Sequence, residues 1–232
     1  AGPLREWAGT LFGHCSARPQ KRKTTLMQQE TISSFLDSLA ARVPAPGGGA
    51  TAALHVGQAA ALVAMVARYT TGDRYAEHSA LVERVCTSAD ALRGKALQFA
   101  EDDMAAFTSV IDAYKLPKGT DEENAARSAA IEGALVNAAR VPVEVIDAAA
   151  AVVTLAEELG PVANRNVVSD VAAATEAARA AATTARVNVE INLPGITDPA
   201  IRQSLIDSAA GVDALADRAD AVTAQVRKQL NS

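Results

Sequence analysis

The chain has 232 residues, of which 49% are hydrophobic and 21% charged but only 3% aromatic, and its formal net charge is −5. A core this poor in rings must be built from alanine, valine and leucine, which points to an all-α fold of closely approaching helices. The acidic balance argues against nucleic acid as a partner, and two cysteines and three scattered histidines offer no metal-ligand spacing, so no metal is expected.

Residues 1–26 read as a separate, basic and disordered tail: Arg5, Arg18, Lys21, Arg22 and Lys23 against Glu6 give it a charge of +4, leaving −9 for residues 27–232. It lacks the apolar stretch of a secretory signal. The longest apolar run counted, residues 59–67, ends at Arg68, well short of the roughly 18 residues that a membrane span needs. A soluble, cytoplasmic protein without a membrane partner is the resulting expectation, and the thiols Cys15 and Cys86 suit a reducing compartment.

Residues 27–232 form one helical domain in this reading. A first helix over residues 31–41 places Ile32, Phe35, Leu36 and Leu39 on one face. Pro44, Pro46, Gly47, Gly48 and Gly49 then make a loop that feeds straight into a second helix, residues 50–69, whose small residues predict burial nearly all round. Glycines there permit positive φ or close approach of a ligand, and the helix start favours a carboxylate or phosphate. No Lys-Ser or Lys-Thr follows at P-loop spacing and no strand precedes, so neither nucleotide-loop motif applies.

A long amphipathic helix over residues 79–114 follows, broken by Leu116, Pro117, Lys118 and Gly119. Thr120 or Asp121 caps a fourth helix that continues past a kink at Pro142 to Leu159. A fifth starts near Asn164 or Asn166 and reaches about Val187, and Asp198 and Pro199 open the last. The sum is a bundle of about six long helices, several too apolar to stand alone, which predicts a homodimer.

Polar groups inside such apolar helices need explaining, because an unpaired buried amide or carboxylate costs about 1–3 kcal/mol. Residues 164–170 hold Asn164, Asn166, Ser169 and Asp170; Asn166 and Asp170 share a helix face. This group reads either as a buried acid/base centre around Asp170 or as an N-cap cluster that satisfies backbone donors. Asn188 and Asn192 offer paired donors and acceptors for a heterocycle edge, or a helix C-cap. Asp103, after Glu101 and Asp102, is a second carboxylate candidate, and Lys118 is a cation for a ligand carboxylate, or simply exposed. His55 reads as a core or subunit-contact histidine, and Cys86 as a small core residue.

Taken together, Pro44-Ala45-Pro46-Gly47-Gly48-Gly49, the stretch from Asp103 to Phe107, Ala113-Tyr114-Lys115-Leu116-Pro117-Lys118, Val141-Pro142, and residues 164–170 and 188–193 resemble the cyclodeaminase/cyclohydrolase family over about residues 31–230. The resemblance implies a multihelical homodimer that binds a reduced folate, with or without a polyglutamate tail, and needs no cofactor beyond that tetrahydrofolate substrate. It implies closure of 5-formiminotetrahydrofolate to 5,10-methenyltetrahydrofolate with loss of ammonia, or, as the alternative, hydration of the methenyl form to 10-formyltetrahydrofolate. A third expectation of another class is a helical dimer that binds folate, or acts as a scaffold, without turnover. On this resemblance Asp170 would transfer protons with Asp103 as second carboxylate; Asn164, Asn166, Ser169, Asn188 and Asn192 would orient the pterin. Gly47, Gly48 and Gly49 would admit the ligand and Lys118 would meet the glutamate tail.

Overall fold

Alanine and valine carry the interior, and they let helix axes approach more closely than larger side chains would. A computed structural model describes residues 27–231. Among them seven α-helices follow in order: α1 (Ile32–Ala40), α2 (Gly48–Tyr69), α3 (Ser79–Tyr114), α4 (Asp121–Leu159), α5 (Ser169–Glu190), α6 (Pro199–Ala210) and α7 (Val212–Leu230). Short 3-10 segments, Met27–Gln29, Asp73–His78, Arg165–Val167 and Leu193–Gly195, lie between or before them, and no strand occurs among the described residues. The basic tail, with Cys15, lies outside the described residues.

Local chemistry explains most boundaries. Thr31 caps α1 by accepting from the Ser34 N–H at 3.1 Å. Thr120 and Glu123 form a reciprocal capping box at the start of α4. Asp198 caps α6 through the Ala200 and Ile201 N–H groups, with Pro199 at the first helical position. The expected last helix is divided in two at Gly211, a residue of low helix propensity. Conversely, α4 runs unbroken through the buried Pro142, although proline removes one ladder donor. The loop before α6 is pinned by Glu132, which accepts from Thr197 N, Thr197 Oγ1 and Asp198 N.

Helix α2 is the centre of the packing, between α3 and α5 with α4 behind it. Ala52, Ala53, Val56, Ala59, Ala60 and Val63 are fully buried, and the Gly57 backbone sits where an added Cβ would touch Ala96 Cβ at 3.5 Å. Contrary to expectation, α2 is not buried all round: Leu54, His55, Ala61, Leu62 and Met65 are only half-buried. It is also, by length and composition alone, apolar enough to cross a membrane, because its first charged residue is Arg68; more than half of that stretch packs inside the bundle.

Helices α2 and α5 run antiparallel. Gly48, at the start of α2, faces Asn188 near the end of α5, while Thr70, just beyond the end of α2, accepts from the Asn164 N–H that leads into α5. By contrast α1 has no buried residue, and its Ile32 and Leu36 side chains remain exposed.

The alanine interior has no slack for larger side chains. Ala60→Leu should lower stability by about 1–3 kcal/mol or more, read as a fall in the urea midpoint with an unchanged m-value.

Candidate functional site

A cleft of about 510 Å³ opens where the Pro-Gly loop meets α2. Leu39, Ala41, Val43, Pro44, Ala45, Pro46, Gly47, Gly48 and Gly49 form one wall. Asp103, Phe107 and Val110, at i, i+4 and i+7 on α3, form the second. Ala138 of α4 and Asn188, Ile191 and Asn192 at and just beyond the end of α5 complete it. Asp103 is the only ionisable side chain among these described lining residues.

The loop enters through a cis Ala45–Pro46 peptide, and Pro46 is buried. None of its glycines uses a positive φ; Gly47 is extended at φ −143°, and the only positive-φ glycine among the described residues is Gly72. Close approach is what the sequence needs here: a Cβ on Gly49 would fall on top of the Asp103 carboxylate. With no side chain in the way, that carboxylate seats on the first turn of α2 and accepts a hydrogen bond from the Ala50 N–H. The position at the helix start where an anionic ligand was expected is therefore taken by the protein's own carboxylate, stabilised by the free amides and positive end of the helix. Thr51 Oγ1 closes the turn by donating to the Gly47 carbonyl at 2.9 Å.

Burial is the main influence on Asp103 and pushes its carboxyl above the ordinary carboxylate range; the Ala50 N–H opposes this. The side chain is thus suited to exchange a proton with something in the cleft, and a positive charge beside it would relieve its desolvation. Asn188 and Asn192 each donate back to the backbone, to the Thr184 and Asn188 carbonyls at 2.8 Å, which fixes both amides at the cleft wall.

The remaining residues singled out from the sequence lie elsewhere. Asn164 Nδ2 donates to the Tyr69 carbonyl at 2.7 Å, and its Oδ1 accepts from the Asn166 N–H. This is the capping arrangement, and it ties the end of α2 to the start of α5. Asn166 and Ser169 are exposed, and Asp170 stands half-buried in the first turn of α5, where a carboxylate complements the helix dipole. Eighteen residues of helix separate Asp170 from Asn188, about 27 Å along the axis, so one chain does not bring Asp170 to the glycine loop. Lys118 is exposed in the loop between α3 and α4 and does not line the cleft. Phe107, Val110 and Ile191 also line the cleft, although they were not among the site residues expected from the sequence; the signal for the first two was their spacing of one and two turns from Asp103. His55 also stands outside the cleft, with a buried Nδ1 that has no hydrogen-bond partner. Among the described residues no three His, Cys, Asp or Glu side chains gather as a metal-ligand set.

Comparison with known proteins bears on this geometry. The Formiminotransferase-cyclodeaminase family matches residues 31–211. A methenyltetrahydrofolate cyclohydrolase of Methylorubrum extorquens is 40% identical over 184 residues, which is 79% of this chain and 88% of that protein. The formimidoyltransferase-cyclodeaminase of Sus scrofa is 32% identical over 185 residues, and that of Mus musculus 30% over 174. The match takes in 79% and 75% of this chain but only 34% and 32% of those longer proteins. A solved structure of formiminotetrahydrofolate cyclodeaminase from Thermotoga maritima superposes with a TM-score of 0.78 at 28% identity, covering 88% of this chain and 99% of that one. The chain belongs to the formiminotransferase-cyclodeaminase family of folate one-carbon proteins.

Proposed function

We propose that this protein is a methenyltetrahydrofolate cyclohydrolase, adding water to the carbon that bridges N5 and N10 to give 10-formyltetrahydrofolate, with Asp103 as the proton-transfer group. The observation that carries the reading is the lone carboxylate, desolvated and seated on the α2 N-terminus, at an apolar cleft whose described lining contains no cation. The methenyl bridge is cationic, so the substrate brings the charge that the cleft lacks. The cyclohydrolase relative has the higher identity of those compared and is matched over most of its length, which supports hydration over ammonia release.

In this mechanism Phe107, Val110 and Ile191 pack against the flat ring system while the Asn188 and Asn192 amides meet its polar edge. Asp103 takes a proton from water as its oxygen bonds to the bridge carbon, which becomes tetrahedral. The carbon–N5 bond then breaks and its electron pair takes the proton held by Asp103, leaving the formyl group on N10. The hydroxyl proton of the intermediate is released to solvent as the carbonyl forms, so one water is consumed and the cationic substrate becomes a neutral formyl product plus a proton.

The second reading is formiminotetrahydrofolate cyclodeaminase, favoured by the 0.78 TM-score to an enzyme of that name. The same carboxylate would then supply the proton with which ammonia leaves. Purified protein offered each substrate separately distinguishes the two: loss of methenyl absorbance above the buffer rate is expected, whereas gain of that absorbance with ammonia from the formimino substrate would establish the second reading. No change with either, from folded protein, would leave a binding protein without turnover.

Replacing the carboxyl tests the assignment. Asp103→Asn should cut kcat by about 10²- to 10⁴-fold while the helical circular dichroism is unchanged; near-complete activity would refute it. In Gly49→Ala the new methyl displaces the carboxylate, and a loss of about 100-fold is expected, whereas Gly94→Ala, on the exposed side of α3 with open space around it, should retain full rate. The wild-type kcat/KM should fall as pH drops through the raised Asp103 pKa.

Stability should respond in the opposite sense. The folded chain holds the Asp103 proton more tightly than the unfolded chain, so this contribution is fully present below the ordinary carboxylate range. It is lost as pH rises through the raised folded value. Above that range the wild type bears a buried ionised carboxylate, and Asp103→Asn should equal or exceed it in urea melts at pH 7, with the difference shrinking at pH 4.

A further inference from the structure

We infer that residues 28–45 form a strap that closes over the occupied cleft, with the apolar face of α1 coming down on the aryl ring that a folate carries on N10. The inference rests on the reading of the cleft as a folate site and concerns how that site is covered. Its first ground is the way the segment is held. At one end Met27 is buried and its N–H donates to the Glu101 carboxylate of α3. At the other, Pro46 is buried at the entrance to the glycine loop. None of the eighteen residues between them is buried. The chain is pinned at both ends and loosely seated in the middle, and no other helix among the described residues packs along α1.

The second ground is the composition of α1. Ile32, Phe35, Leu36 and Leu39 share one face. Phe35 and Leu39 are half-buried, but Ile32 is 81% exposed and Leu36 54%. A helix of nine residues is marginal in water by itself and draws most of its stability from what its apolar face packs against. Here half of that face still meets solvent. Thr31 caps the helix start and Ser33, Ser34, Asp37 and Ser38 occupy the remaining positions, so the sequence specifies an amphipathic helix with apolar surface to spare.

The place to which that face leads identifies what it covers. Leu39 belongs to it and lines the cleft, followed by Ala41, Val43, Pro44 and Ala45 of the same strap. Leu36 and Ile32 continue the row one and two turns back from Leu39, so a small inward movement of α1 carries them over the mouth of the cleft. With the pterin edge at Asn188 and Asn192 and the bridge carbon at Asp103, the ring on N10 is the part of the substrate that those walls leave uncovered. It is aromatic, and Leu and Ile side chains cover such a surface favourably. Closure also keeps bulk water from a centre that consumes a single water, a common use of such covers.

Hydrogen exchange followed by mass spectrometry on the Asp103→Asn variant tests the strap. The ligand is 5,10-methenyltetrahydrofolate, and its binding is measured separately by equilibrium dialysis of the methenyl chromophore. In the free protein the amides of residues 31–45 should exchange quickly. In the complex they should slow by about tenfold or more, while those of α6 should not change. Binding with unchanged exchange over residues 31–45 would overturn the strap and leave the folate reading standing. Absence of binding would remove that reading and the strap with it. Slow exchange already in the free protein, as a second copy seated on α1 would give, would also overturn the strap. Steady-state kinetics give an independent readout. Ile32→Gln and Leu36→Gln alter exposed residues, so the fold should be retained, and each should raise KM by about tenfold with kcat close to the wild-type value. Ile206→Gln, the same change at an exposed apolar residue of α6, should leave KM as it is. Unaltered KM in both strap variants would contradict the inference.

Discussion

The contact between the Asp103 carboxylate and the first turn of α2 is the constraint on which the rest of the site depends. A carboxylate buried against apolar side chains is expensive, and here a helix N-terminus offsets part of the cost through the Ala50 N–H. The approach requires that residue 49 have no side chain. It also requires α2 and α3 to lie close together, and the Gly57–Ala96 contact two turns along shows that same spacing. Alanine packing and the chemistry of the cleft are therefore one design: larger core residues would push the helices apart and lift the carboxylate off its seat.

That arrangement reverses the usual role of a glycine loop at a helix start. Such loops commonly present bare amides to a ligand's phosphate or carboxylate. Here the amides are directed at a side chain of the protein, so the cleft presents net negative character to whatever enters. In the proposed reaction that suits it to a flat, positively charged ring system, with the apolar walls against its faces and the Asn188 and Asn192 amides at its polar edge. The antiparallel course of α5 beside α2 is what brings those amides to the glycine end of the bundle.

Much of the fold was legible in the sequence because the relevant signals are local. The Thr120–Glu123 capping box, Asp198 with Pro199, and the apolar spacing of α3 identify their helices without knowledge of neighbours. Gly211 was missed as a break because the apolar positions keep their period across it, from Leu205 to Val212 and Leu215. The site was half legible. Gly47, Gly48, Gly49, Asn188 and Asn192 do converge, and Asp103 joins them. The cluster around Asp170 has equal polar density but serves a helix start, and sequence spacing does not distinguish an amide that caps from one that faces a cleft. Asn164 shows the difference: its amide nitrogen donates to the Tyr69 carbonyl and its amide oxygen accepts from the Asn166 N–H, both of them backbone. Distance was the other hidden quantity, since only the antiparallel pairing of α2 with α5 puts Asp170 and the glycine loop at opposite ends.

The role of Asp103 is tested most directly by a crystal structure of the Asp103→Asn variant with 5,10-methenyltetrahydrofolate bound, slowed enough to hold its substrate. The bridge carbon should lie in the cleft beside Gly49, within one water of the residue 103 side chain, with the ring edge on Asn188 or Asn192. Substrate bound instead at the Asn164–Asp170 end of the bundle would contradict it.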